Sequence, residues 1–112
     1  MSTSAKVSPK AALLMAYLSA HIGRDKGVKA VDIASWFNWK ARAVRTYITE
    51  LREQGHAICG HPNTGYYVAE KPEEIEEVCA FLHARAMTSL MLIARIKKIA
   101  LPELLGQLRL KT

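Results

Sequence analysis

Apolar residues recur every three to four positions along most of the chain, and one short stretch instead holds two brief apolar runs about a Gly-bounded turn. Leu13, Leu14, Tyr17, Leu18, His21 and Ile22 predict an amphipathic helix over 9–22, opened by Ser8 as N-cap and Pro9 at the first helical position and closed by Gly23. A basic loop spans 24–29. A short helix follows over 30–37, with Val31, Ala34 and Phe37 on one face beside Ile33. Asn38 suits a left-handed turn residue, and Trp39 is expected to tuck into the core. A third helix spans 40–54. Val44, Ile48 and Leu51 form its buried stripe, Tyr47 its flank, and Gly55 its stop.

Beyond Gly55 the period changes. Residues 56–59 read as a strand, 60–65 as a turn with Pro62 and Asn63 at its tip, and 66–69 as the return strand. Pro72 then opens a helix of about 27 residues, about 40 Å long at 1.5 Å per residue. Glu73, Glu74, Glu76 and Glu77 stand at its start and Lys97 and Lys98 near its end, which matches the helix dipole at both ends. A Leu-rich tail over 101–110 places Leu104, Leu105 and Leu108 at helical spacing. The predicted fold class is mainly α (α+β), with a loose N-terminal segment over 1–8, a compact domain over 9–70 and a helical segment over 71–112.

The 112 residues suffice for one domain and an appendage. Half of them are hydrophobic, enough for a core without disulfides or metal. Two cysteines make no disulfide framework, and the first ten residues have no secretory leader, so a reducing cytoplasm is expected. No uninterrupted apolar run reaches the roughly 18 residues of a membrane span, since Arg85, Arg95, Lys97 and Lys98 break the most apolar stretch. No membrane partner is therefore expected.

The formal net charge of +6 is unevenly spread. Residues 1–71 hold ten Lys and Arg against five Asp and Glu; residues 72–112 hold six against five. A basic front half suits a polyanion, because each neutralised phosphate releases counterions. Lys40, Arg42, Arg45, Thr46 and Thr49 fall on the outer side of the third helix, where Ala41 and Ala43 allow close approach. One helix fits the major groove of B-DNA, and arginine is shaped for a bidentate bond to guanine. His61 and Asn63 at the hairpin tip suit the backbone or the minor groove, and Lys6, Lys10, Lys26 and Lys29 suit phosphates. The bland alternative is that these arginines are the solvated side of a surface helix.

The residues Ile33-Ala34, Phe37-Asn38-Trp39, Arg42-Ala43-Val44-Arg45, Ile48, Leu51-Arg52-Glu53-Gln54-Gly55 and Gly65-Tyr66-Tyr67-Val68 resemble the winged helix-turn-helix family, most closely the DNA-binding domains of biotin-operon repressors. The resemblance runs from about Pro9 to Ala69 and also covers small phage or prophage DNA-binding proteins. It implies a three-helix core with a two-stranded wing, a recognition helix over 40–54 and a wing over 58–68. It also implies sequence-specific binding of double-stranded DNA in transcription control or phage replication. Asn38 stands where the family usually has glycine, and Trp39 where it has a small aliphatic residue. The biotin repressors carry a large further domain; about 40 residues remain here, so no small-molecule effector is expected. The same fold also serves as a protein-interaction adaptor without DNA, which is the alternative reading.

The long helix is apolar on more than one side, too broadly for one contact with a small core. Leu82, Met87, Leu90, Met91 and Ile93, with Leu104 and Leu105 of the tail, are the expected homodimer interface, the alternative being packing back on the first helix. Catalytic chemistry and cofactors are not expected. His56, Cys59, His61, Cys79 and His83 have zinc-ligand types but no finger spacing, so no metal is expected. No Gly-rich loop is followed by Lys-Ser or Lys-Thr. The four glutamates read as helix-start charges in water, His21 as a flank residue, and Trp36 and Trp39 as core rather than base-stacking residues, with partial exposure of Trp36 left open.

Overall fold

The computed structural model describes residues 7–109; Lys6 and Leu110 lie outside the described residues. The chain is mainly helical, with a two-stranded antiparallel sheet and a long C-terminal helix. It divides into two compact units, Met1–Glu76 and Glu77–Thr112.

The first unit holds α1 (Pro9–Leu18), α2 (Ala30–Phe37), α3 (Ala41–Glu53), β1 (Ile58–His61) and β2 (Gly65–Val68). Ala11, Leu14 and Leu18 of α1, Ile33 and Ala34 of α2, Val44, Ile48 and Leu51 of α3, and Ile58 of β1 form one buried cluster. Ser8 caps α1 by accepting from the Ala11 amide at 3.3 Å, while its hydroxyl donates to Glu50 of α3 at 3.0 Å. Val7 packs against the same cluster.

Helices α2 and α3 end in the same way. Asn38 (φ 59°) and Gly55 (φ 94°) are left-handed, and the next amide reaches back five residues. Trp39 N–H bonds to Ala34 C=O at 2.9 Å, and His56 N–H to Leu51 C=O at 3.1 Å. This double closure satisfies carbonyls that the helix end would otherwise orphan.

Three expectations are corrected in this unit. Helix α1 stops at Leu18 rather than reaching Ile22, because residues 21–28 bond to β2 instead. Val68 N–H meets His21 C=O at 2.8 Å and Gly23 N–H meets Val68 C=O at 2.8 Å. Val28 and Tyr66 exchange two further bonds of 2.9 and 2.7 Å, so β2 is hydrogen-bonded on both sides. The α2 face is shifted: Ile33 is buried beside Ala34, but Val31 is 65% exposed, and Leu13 on α1 and Trp36 on α2 are exposed as well. The hairpin is tighter than expected. Gly60 and His61 continue β1, leaving 62–64 as the turn. Gly60 pairs with Tyr66, and a side chain there would meet the Tyr66 ring at 2.8 Å.

Helix α4 (Pro72–Lys97) begins in the first unit and continues through the second, followed by α5 (Leu101–Leu108). It ends on a third left-handed residue, Lys98, with Ile99 N–H bonded to Ala94 C=O at 3.0 Å. The α4 run is interrupted by charges, as its sequence has it. The helix is nevertheless long and apolar enough, by length and composition, to cross a membrane, and only 6% of its most apolar window is buried.

Candidate nucleic-acid interface

Helix α3 has two sides of opposite character. Val44, Ile48 and Leu51 are buried, while Lys40, Arg42, Arg45, Thr46 and Thr49 are all exposed. Positions 42, 45, 46 and 49 follow one face at helical spacing. Among the described residues, no hydrogen bond or ion pair engages the Arg42 or Arg45 guanidinium. Arg52, nearer the end of α3, is spent otherwise: its Nε donates to Ile58 C=O at 2.8 Å and ties α3 to β1. The exposed Glu53 extends the row of 42, 46 and 49 by another turn, so the positive character of this face sits in its N-terminal half.

The two threonines are placed as expected but not free as donors. Thr46 Oγ1 donates to Arg42 C=O at 3.1 Å and Thr49 Oγ1 to Arg45 C=O at 3.0 Å. Each hydroxyl proton is used within the helix, so both offer acceptor lone pairs and a methyl group outward.

Aromatic rings fix how α3 is held. Phe37 at the end of α2 stacks on Trp39 with centroids 4.2 Å apart, and Trp39 meets Tyr47 of α3 edge-on at 5.1 Å. Trp39 is thus half-buried at the core rim, close to the expectation. Trp36 is not a core residue: it is 72% exposed, with Tyr17 beside it at 5.8 Å. The spacing of an eight-residue helix left its direction open.

A second basic group lies at the hairpin. Asn63, Lys26 and Lys29 line one shallow, open concavity together with His21, Val28 and Asp32; no α3 residue lines it. His61 Nδ1 accepts from Asn63 N–H at 3.1 Å, which leaves Nε2 to carry the proton of the neutral ring. His21, expected on a flank, donates from Nδ1 to Lys26 C=O at 2.7 Å and stacks on Tyr17. Lys29 and Lys40 are the N-cap residues of α2 and α3, and among the described residues neither helix has a side-chain cap hydrogen bond. The positive end of each helix dipole therefore lies beside a lysine.

The glutamates are not all solvent charges. Glu74 is buried, and its carboxylate accepts from the amides of Glu70 (2.7 Å), Lys71 (3.3 Å) and Arg24 (3.2 Å). The Glu70 amide is the largest of the influences that hold its carboxyl below the ordinary value of 4.5; burial opposes them. A depressed folded value adds stability that is present above the unfolded value and is lost as pH falls through the folded one. Urea unfolding of the wild type should therefore weaken below pH 4.5, and Glu74→Gln should flatten that acid limb. An unchanged acid limb in the variant would show that these amides do not hold the carboxylate.

Of the expected interface residues on α4 and α5, Leu82, Met91 and Ile93 are exposed, and Met87, Leu90 and Leu105 are half-buried. Leu104 is fully buried, which removes it from any outward surface. Cys59 is buried, its thiol against Glu74 C=O at 3.5 Å, while Cys79 is exposed. Among the described residues no group of three or more His, Cys, Asp or Glu is gathered to hold a metal ion. No family model, curated protein or solved structure matches the chain.

Proposed function

We propose that the first unit is a winged helix-turn-helix that binds duplex DNA, with α3 entering the major groove and the β1–β2 hairpin as the wing. The observation that carries this reading is α3 itself. Its back is buried in the core, and its front offers the exposed Arg42 and Arg45, whose guanidinium groups are unengaged among the described residues. A helix reading bases must be held rigidly from behind and must present donors in front. The lysine-headed N-termini of α2 and α3 suit phosphates on either side of the groove, and Lys26, Lys29 and Asn63 suit the backbone near the wing. The reading needs neither cofactor nor catalytic group, and it takes the chain as a homodimeric regulator or replication-associated protein joined through α4.

Affinity for duplex DNA should fall with salt, with a log–log slope of about −0.9 per phosphate neutralised. Selecting bound fragments from a random duplex pool tests specificity, and a palindromic site would report twofold symmetry. Arg42→Ala or Arg45→Ala should cost about 1–3 kcal/mol at the selected site where the residue reads a base, with relaxed preference at one position. Full affinity of both variants for that site, measured by fluorescence anisotropy, would remove α3 from the groove.

One observation favours the second reading, an adaptor without DNA contact: Trp36 is a large aromatic side chain standing in solvent. That reading would gain if Trp36→Ala abolished capture of a protein partner while no duplex bound in low salt.

A further inference from the structure

Most of α4 is exposed, Ile75, Phe81, Met91 and Leu92 included, and one row within it keeps the period of helix packing. Cys79, Leu82, Ala86, Ser89, Ile93 and Ile96 follow one another at spacings of three, four, three, four and three, and all six are exposed. A stripe of that period is the seam by which one helix packs along another. Ile96 is 79% exposed, although it is among the most apolar side chains of the helix. The two small residues, Ala86 and Ser89, stand at the middle of the stripe, where a second backbone can come closest. Arg85 lies beside the stripe, its guanidinium 5.8 Å from the ring of Phe81 on the same helix.

The charges choose the direction of the partner. Glu73, Glu76 and Glu77 stand at the start of α4, and Arg95, Lys97 and Lys98 at or just beyond its end. A parallel pair would set acids beside acids and bases beside bases. An antiparallel pair sets each acidic end along the other copy's basic end and opposes the two helix dipoles.

We propose that α4 pairs with α4 of a second copy in antiparallel fashion, in one register. Cys79 faces the second copy's Ile96, Leu82 faces its Ile93, and Ala86 faces its Ser89. In that register the exposed Glu76 falls beside the second copy's Lys97, twice per dimer by symmetry. Among the described residues Lys97 makes a long hydrogen bond, 3.4 Å, to Gln107, which it can exchange for a carboxylate. This rests on the reading that α4 joins two copies, and it adds the direction, the register and the residues in contact.

The register places the two Cys79 residues of a dimer about 25 Å apart, 17 residues along the seam at 1.5 Å each. A parallel pair would put them face to face. The test uses the full-length protein, sedimentation and mild oxidation followed by non-reducing electrophoresis. The wild type should sediment as a dimer and form no disulfide through Cys79. Ile96→Cys should convert to a disulfide-linked dimer, and adding Cys79→Ser should abolish the link. Glu76→Lys or Lys97→Glu should each weaken the dimer on the order of tenfold, and the two together should restore it. A wild-type dimer that cross-links through Cys79 would overturn the antiparallel register while leaving the dimer intact. A chain that sediments as a monomer would overturn both. Co-flotation with phosphatidylcholine vesicles, with no dimer in their absence, would give the stripe to a bilayer and overturn the pairing.

Discussion

Trimming Ile48 to alanine is expected to destabilise the first unit by about 2–5 kcal/mol. Ile48 is 1% exposed at the centre of α3, where the helix meets the buried residues of α1, α2 and β1. The removed carbons lose their burial, and the surrounding rings and aliphatic chains cannot fully close the space. Alanine is the better helix former, but that gain is a few tenths of a kcal/mol and does not decide the outcome. A unit of this size is stable by roughly 5–10 kcal/mol, so the loss is a large share of the whole. Both tryptophans of the chain, Trp36 and Trp39, lie in this unit, so their fluorescence reports its urea unfolding without interference from the second. The midpoint should fall with little change in slope. Val31→Ala is the matched control on α2. The sequence pattern put Val31 on the inner face, but it is 65% exposed, so its loss should stay within about 0.5 kcal/mol. A Val31 effect as large as that of Ile48 would mean that α2 is rotated the other way.

Gly65→Ala is expected to be nearly as damaging, for a different reason. Gly65 opens β2 with φ 79°, and a methyl group there would lie 2.4 Å from the backbone carbonyl of Val28. That carbonyl accepts from Tyr66, and the Val28 amide donates to Tyr66 in return. The added carbon must push β2 away from residues 27–28 and break the pair. Roughly 1 kcal/mol for each lost bond joins about 1–2 kcal/mol of left-handed strain, giving about 3 kcal/mol. Gly55→Ala separates the two contributions. Gly55 has φ 94°, but nothing lies within 4 Å of the added carbon, so only the strain remains. Equal losses at the two glycines would mean that the hairpin does not press on the segment before α2. The same crowding bears on function, because Lys26, Lys29 and Asn63 line one concavity only while this segment and the hairpin tip stay together.

The proposed DNA-reading surface was largely legible in the chain. Lys40, Arg42, Arg45, Thr46 and Thr49 are outward because Val44, Ile48 and Leu51 are inward, and both facts follow from the 3.6-residue period. Less legible was what those side chains are free to do. The hydroxyls of Thr46 and Thr49 close on their own helix, and Arg52 turns inward to β1 although it follows the same basic pattern. Glu74 was indistinguishable from its acidic neighbours in the sequence. Its difference comes from the Arg24 amide, fifty positions away, and from the amides just before α4.

By itself the sequence determined what one or two helical turns can encode. It set the stripe of α3, Ser8-Pro9 at the start of α1, Asn38 in its left-handed turn, and the acid-to-base polarity of α4. These depend on neighbours within about four residues, whose geometry the local backbone dictates. Tertiary structure alone decided the end of α1, the face of α2, the exposure of Trp36, the second set of bonds to β2 and the burial of Glu74. Each is a competition between the local pattern and partners far along the chain. At Ile22 and Glu74 the distant backbone groups won, because they satisfy polar atoms that the local conformation would leave unpaired.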